Sequence, residues 1–570
     1  MVSRIRWLVA LTVFTGAASA APVPVPDPAK YEPPTATVHT LPGKTVLADV
    51  KAVAQLLGGD ELTKDIDETW AGFFGKTAAP ALDLARPVAG YLYLRENVEQ
   101  SCGVLVIPTT TEKDALPVLE KMGLTAKPEF GKAGRYKLQP PDAGFPVPLF
   151  AQFADGGKLL YVSINAKPDV LDRDKLIPVA KLVDPKATQH VTVTAYPDRV
   201  PNALRQMLFE AIDTNLMADL ERLEQRKPRD MPPSFPSFAK ELLKLGKRSL
   251  GSLFTECEKV TLGWHLNTKT TNLEVEYVFT PKSNTPFAKD VAAIKAPVGR
   301  FHQLTTKESV LGGWGVLPTP LPKELRATGG AFLKEWIDIA GTGAPKKADP
   351  LFAALGDQVQ KAVSSGKVDG GFGLIGPNKG GLYTGVAAVA MDDTKDVEKA
   401  FRVAAEAAAE FIKLDAAKVG GVAVHEVTTT PAQTPDLVRV FGEDFKLLLA
   451  FGKDAVYAAA GPDAVAELKR AMALKPTAAT VFDLTAHAAR TVKLLPPNGF
   501  NGELAKMGSR IPAFISYVGL DIAGGKELRV SAKTGMLLAV FLFGIRAEQK
   551  FQAVPGAVPP PPPPLPIKKN

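Results

Sequence analysis

Cysteine is nearly absent from this 570-residue chain, with two residues, Cys102 and Cys257, and no pair at metal-ligand spacing. A thiolate zinc site is therefore excluded as a local motif. Histidine is almost as scarce: His39, His190, His265, His302, His425 and His487 never stand four apart, so no helix offers two imidazoles to a metal on one face. No G-x-S-x-G elbow occurs, and a hydrolase nucleophile of that type lacks its local signature. Nowhere does an apolar run approach the roughly 20 residues of a membrane-spanning helix. Long tracts of one charge are missing too. The 68 basic and 60 acidic side chains interleave, as in Asp219, Glu221, Arg222, Glu224, Arg226 and Lys227, which reads as a solvated helix face and not as a nucleic-acid surface.

What is present is the balance of a globular protein, 46% apolar and 22% charged. The chain exceeds the roughly 250–300 residues at which a single core stops growing, so at least two domains are expected. The first twenty residues join a basic start (Arg4, Arg6), an apolar run from Trp7 to Phe14 and the ending Ala18-Ser19-Ala20. That is a secretory signal pattern with cleavage expected before Ala21. The expected location is outside the cytoplasm: periplasmic, cell-envelope or extracellular. There Cys102 and Cys257 are a candidate disulfide, worth about 5 kcal/mol in the chain-entropy model; two buried free thiols are the alternative.

Prolines alternate with small residues over 21–34 and run unbroken from Pro559 to Pro564, so polyproline-II spacers are expected at both ends. Between them the order of elements occurs twice. Cys102 to Ile107 reads as a strand leading through Thr111 and Asp114 into a helix carrying Leu116, Leu119 and Met122. Thr384 to Val389 leads likewise through Asp393 and Asp396 into a helix carrying Val397, Phe401, Ala405, Ala408 and Ile412. A shift of 282 aligns Gly103 with Gly385 and Asp114 with Asp396. Gly134 to Leu138 then corresponds to Gly421 to His425, and the hairpin Leu149 to Ile164 to that of Phe445 to Ala458. His190 to Ala195 and Thr480 to Thr485 are each a strand opening a helix, long and apolar-striped over Val200 to Leu223 in the first copy. Each copy closes on paired strands with alternating apolar residues, Val260 to Phe279 and Ala513 to Ala532. The fold expected is α+β, two tandem related domains (42–298 and 299–552) with mainly antiparallel sheets packed against helices. A signal peptide (1–20), a Pro-rich linker (21–41) and a Pro-rich tail (553–570) complete the chain.

The run Thr192-Val193-Thr194-Ala195-Tyr196-Pro197-Asp198 leading to Arg205-Gln206-Met207, the later Leu262-Gly263-Trp264, and Leu84-Ala85-Arg86-Pro87-Val88-Ala89-Gly90 before the first sheet resemble a group of uncharacterised exported bacterial proteins. The resemblance spans most of 42–550. It implies a duplicated exported α+β protein and carries over no activity and no catalytic residue.

Motifs that match a chemistry literally fail on context. Gly371-Phe372-Gly373-Leu374-Ile375-Gly376 fits G-x-G-x-x-G, but a helical run precedes it and Pro377 to Gly381 follows, whereas a dinucleotide site needs a strand before and a helix after. Gly43-Lys44-Thr45 and Gly75-Lys76-Thr77 resemble the end of a P-loop whose leading glycine would fall at Val38 and Trp70. Asp393 and Asp396, matched by Thr111 and Asp114, sit where helices begin and read as caps. Met536 to Phe543, flanked by Lys533 and Arg546, is too short to span a bilayer and reads as core, with peripheral membrane contact as the alternative. His265, beside Trp264, is the histidine to examine first for a site assembled from distant residues. No catalytic, cofactor-binding or metal residues and no cofactor are assigned. The expected function is a non-enzymatic binding or structural protein of the envelope, its partner an envelope protein or ligand. Alternatives are a hydrolase or other enzyme with its site between the domains, and a lipid-associated carrier with an apolar groove.

Overall fold

A computed structural model describes residues 31–535, apart from 79–80, 122, 141–147, 165–167, 269–271, 317–321, 343–345, 407, 429–434, most of 212–231 and most of 488–514. The expected signal peptide, the Pro-rich tail, Met536 to Phe543 and much of the helix over Val200 to Leu223 lie outside the described residues, as does the expected Pro-rich linker up to residue 30; the rest of that linker is not a spacer, because Ala36–Thr40 form a strand paired on both sides.

The first half contributes ten strands: β1 (Ala36–Thr40), β2 (Ala89–Tyr93), β3 (Cys102–Pro108), β4 (Thr125–Pro128), β5 (Arg135–Gln139), β6 (Leu149–Ala154), β7 (Leu159–Ile164), β8 (Val191–Ala195), β9 (Cys257–Asn267) and β10 (Asn272–Pro281). The second contributes β11 (Ser309–Val316), β12 (Asp369–Ile375), β13 (Thr384–Ala390), β14 (Ile412–Val419), β15 (Val422–Thr428), β16 (Lys446–Phe451), β17 (Ala455–Ala460), β18 (Phe482–Ala486), β19 (Ile515–Ala523) and β20 (Leu528–Gly535). These twenty pair antiparallel in one sheet, and Val298–Gly299 with Thr477–Ala478 form a separate two-residue antiparallel pair. In space the order is 4-5-6-7-3-2-1-8-9-10 through the first half, then 20-19-18-11-12-13-17-16-15-14 through the second. Adding ten to each strand number turns one order into the other, reversed about the β10–β20 seam.

The register matches as well as the order. Stepping across the first half from β3, one cross-strand row reads Val106, Ala89, His39, Thr192, Gly263, Glu276. The corresponding row from β13 reads Ala388, Gly371, Trp314, Asp483, Gly519, Lys533. At the seam Glu276 faces Ser531 and Lys533 faces Glu274. Each residue thus meets the counterpart of its neighbour's partner, and a local two-fold axis passes between the facing residues Val275 and Ala532. This is the self-complementary geometry of a two-fold dimer, here within one chain.

The described helices include α1 (Gly43–Ala78), α2 (Glu112–Lys121), α3 (Phe235–Glu256), α4 (Pro286–Ala293), α5 (Lys323–Gly341), α6 (Asp349–Ser365), α7 (Lys395–Glu406), α8 (Pro435–Phe441) and α9 (Ala464–Ala473), and residues 202–211 are helical as well. None is long and apolar enough to cross a membrane. The expected caps are in place. Thr111 Oγ1 accepts from the Asp114 N–H and donates to the Asp114 carboxylate, and Asp393 Oδ1 accepts from the Lys395 N–H. Helix α7 ends at Glu406, however, and Ile412 opens β14 instead of continuing the helical stripe.

One expected correspondence slips by two residues. From Gly103 the ladder runs to Ile164, Leu149 and Leu138; from Gly385 it runs to Ala460, Leu447 and Val427. Leu138 therefore corresponds to Val427, not His425, and Arg135 to Val424. A slip of two keeps every side chain on its face, so alternation alone does not detect it.

Each half buries apolar clusters on both sheet faces, and among the described residues no buried cluster mixes the halves. In the first, Leu138, Leu149 and Phe153 pack with Val118 and Leu119 of α2 on one face, while Tyr91, Val104 and Tyr161 pack with Leu171, Ile177 and Leu182 on the other. In the second, Phe401 and Val397 of α7 pack with Phe451, and Val424, Ala450 and Tyr457 with Leu468 of α9. Helix α3 leaves its own half: Phe238 stacks on Phe332 of α5, and Ser234 donates to Glu335 at 2.7 Å. The two outer edges are blunted. Strand β4 is short and ends on Lys127 and Pro128, and β14 carries a register break with Asp415 at a φ of 51°, both devices that discourage edge-to-edge pairing.

Cys102 and Cys257 are both free and buried, so the candidate disulfide is not formed. Burial raises both thiols, Cys257 to about 11. A native sample at pH 8 is therefore expected to react slowly with a thiol reagent and to release two equivalents when unfolded without reductant. No equivalents under those conditions would mean a bridge.

Candidate functional site

The seam strands carry alternating side chains, so the six strands from β8 to β18 have two unlike faces. On one face a row crosses the seam as Val191, Trp264, Val275, Ala532, Leu520 and Phe482. The next row reads Val193, Leu262, Tyr277, Val530 and Ile522. A third places Leu266 and Leu273 beside Thr534 and Val518. At about 4.8 Å per strand this apolar face is about 24 Å wide. Its side chains are incompletely covered: Tyr277 is 40% exposed, Val518 42% and Phe482 39%. A folded protein rarely leaves large apolar side chains clustered in this way without a partner.

The opposite face is polar. Two glycines at corresponding positions make room for long side chains to lie flat. A Cβ on Gly263 would stand 2.7 Å from Gln189 Cγ, and Gln189 reaches Glu276; a Cβ on Gly519 would collide with Lys533, which reaches the buried Asp483. Glu276 also accepts from Arg529, which pairs with Glu527. These ion pairs tie β20 to β10 and, across β19, to β18.

Beside this network lies a chain of three titratable groups that spacing did not bring together. Asp49 comes from α1, His190 from the residue preceding β8, and His265 from β9. Asp49 Oδ2 is 2.9 Å from His190 Nε2, and His190 Nδ1 is 3.1 Å from His265 Nδ1. The Leu266 N–H donates to the same His190 Nδ1 at 3.1 Å. That nitrogen must therefore be the acceptor, which puts the His190 proton on Nε2, facing Asp49. His265 then donates from Nδ1. Burial holds His190 below its ordinary value, partly opposed by Asp49 and reinforced by His265. Of the other sequence candidates, His39, His302, His425 and His487 stand apart from this chain, and among the described residues no cluster of three or more ligating side chains could hold a metal.

His39, His190, His302, His425 and His487 are all held below their ordinary value, by burial first in each case. The unfolded chain therefore binds protons that the folded chain refuses. Stability is complete above about pH 6.5 and is lost as pH falls toward the lower folded values. The urea midpoint is expected to drop between pH 7 and pH 5, with His425→Phe reducing that drop; a midpoint constant over this interval would contradict the assignment.

The G-x-G-x-x-G run lies in β12 and the turn that follows it. Gly371 and Gly373 face the backbone of Phe301 and Leu304, which crosses the strand there. No family model, no curated protein and no solved structure matches the chain.

Proposed function

We propose that this is an exported, non-enzymatic binding protein of the cell envelope, which takes an apolar partner on the face crossing the seam. The observation that carries the reading is the run of aligned apolar residues across β8, β9, β10, β20, β19 and β18, with Tyr277, Val518 and Phe482 left over a third exposed. Export is supported by the charge and hydropathy pattern of residues 1–20. The reading includes membership of the exported group that the sequence resembles, and descent of the two halves from one ten-strand ancestor by tandem duplication. Matching strand order and the self-complementary seam support that descent. Duplication would also account for the binding face, because it sets two half-faces side by side.

The test is direct. Protein recovered from the envelope fraction of its native cells should begin at Ala21. It should bind an apolar fluorophore such as anilinonaphthalene sulfonate saturably. Tyr277→Lys and Val518→Lys should each weaken that binding about tenfold while leaving stability within about 0.5 kcal/mol, as expected of exposed positions. Variants that bind the fluorophore like the parent would remove this face as the site.

One observation favours a second reading. The Asp49–His190–His265 chain has the form of an oriented base, with His265 Nε2 at its open end. An enzyme of acid–base type would use it so. Ester or amide turnover abolished by His265→Ala, with an imidazole-like pH profile in the parent, would establish that reading over the first.

A further inference from the structure

A groove of about 570 Å³ opens on the second half, over β14–β16 and between α8 and α9. Its floor is apolar: Val419, Val424, Leu448, Ala464, Leu382 and Phe441. Its rim carries Glu426, Glu443, Asp444 and Lys446. Lys446 Nζ is 2.9 Å from Glu426 Oε1, so these two charges cancel. Among the described residues Glu443 and Asp444 make no ion pair. The N-terminal end of α9 also borders the groove and contributes roughly half a positive charge. Two full carboxylates outweigh it, and the groove is left with about one and a half negative charges over an apolar floor.

The first half carries different residues at the positions that line the groove. The counterparts of Val424, Glu426, Leu448 and Ala450 there are Arg135, Lys137, Phe150 and Gln152. Arg135 is 2% exposed; its Nε donates to Gln152 and its Nη2 to Asp172, each at 3.0 Å. Larger side chains stand at these positions in the first half, and Lys137 has the opposite charge to Glu426. The second half differs at the same positions in both volume and sign.

We infer that this groove binds a small amphipathic cation, an apolar body of aromatic or short alkyl type bearing one ammonium group. The body displaces water from the floor, and the ammonium sits between Glu443 and Asp444. The site is separate from the apolar face at the seam and does not depend on it.

The test is calorimetric titration of the full chain at pH 7.5 with 1-(aminomethyl)naphthalene, its neutral relative 1-methylnaphthalene and its anionic relative 1-naphthoate. The amine is expected to bind at least tenfold more tightly than the carboxylate. Glu443→Gln/Asp444→Asn should abolish that preference while leaving the neutral compound unaffected. Val424→Arg/Ala450→Gln, which installs the first-half residues, should block all three compounds. Should that core variant fail to fold, the exposed pair Glu443→Gln/Asp444→Asn still decides the matter. Tyr277→Lys should leave amine binding unchanged, whatever it does at the seam. Equal affinity for amine and carboxylate, or no saturable binding of the amine at millimolar concentration, would overturn the inference.

Discussion

Gly371→Ala is expected to destabilise the protein by about 3 kcal/mol or more, the upper end for overpacking a core. A Cβ there would stand 2.3 Å from the Phe301 carbonyl oxygen, and one on Gly373 would stand 2.4 Å from that of Leu304. The obstacle is backbone and cannot rotate away. Nor can the segment lift, because Phe301 and Leu304 are fully buried, the Arg300 and Phe301 N–H groups donate to the Asp369 carboxylate at 2.7 and 3.3 Å, and Arg470 donates to the Gln303 carbonyl at 2.9 Å. Gly315→Ala in the adjacent strand β11 is the control. Nothing lies within 4 Å of a Cβ there, and its effect should stay below about 1 kcal/mol. Urea unfolding of the two variants beside the parent measures both. If they were equally stable, the crossing segment would not be held against the sheet as described.

A loss of about 3–5 kcal/mol is expected for Arg135→Ala, the range for removing one partner from a buried charged contact. The substitution deletes the Nε donor to Gln152 Oε1 and the Nη2 donor to Asp172, and opens a void under β5. Gln152 keeps its own bonds to the Ala133 and Phe153 carbonyls, which hold its amide in place with the oxygen unmatched. Arg135→Val/Gln152→Ala should cost less than the single change, because donor and acceptor leave together and the pair already exists in the fold as Val424 and Ala450. Asp172 stays paired with Lys132 and Lys175 in both variants. A single variant within about 1 kcal/mol of the parent, or a double variant worse than the single, would defeat this account.

Local features of the fold were legible because their causes are local. The turn Asp155-Gly156-Gly157 has three consecutive positive φ angles and joins β6 to β7 as its residues suggest. Thr111 and Asp393 cap helices because side-chain oxygens one turn from an apolar stripe meet free N–H groups. The alternation Leu273, Val275, Tyr277 and Leu528, Val530 marked strands with one apolar face. Helix α1 gave no such signal: it spans 36 residues, yet its apolar residues form no stripe. Of the candidate base, His265 was legible only as an isolated histidine. Its partners lie 75 and 216 positions upstream, at His190 and Asp49, and no periodicity links residues so far apart.

Hairpins, helix caps and the apolar side of strands such as Leu273 to Tyr277 followed from the sequence alone, since those outcomes depend on neighbours a few positions away, whereas helix α1 and the strand at Ala36–Thr40 did not. The sequence also excluded the motif-borne chemistries, whose geometry needs particular flanking elements. The pairing of β10 with β20, which joins two hairpins more than 230 residues apart into one apolar face, followed from the folded chain alone. Backbone N–H and C=O groups at a strand edge are the same for every residue type. The choice among edges therefore depends on packing and loop closure summed over the whole chain. The same holds for the groove beside Glu443 and Asp444, which is lined by Val424 where the other half has Arg135.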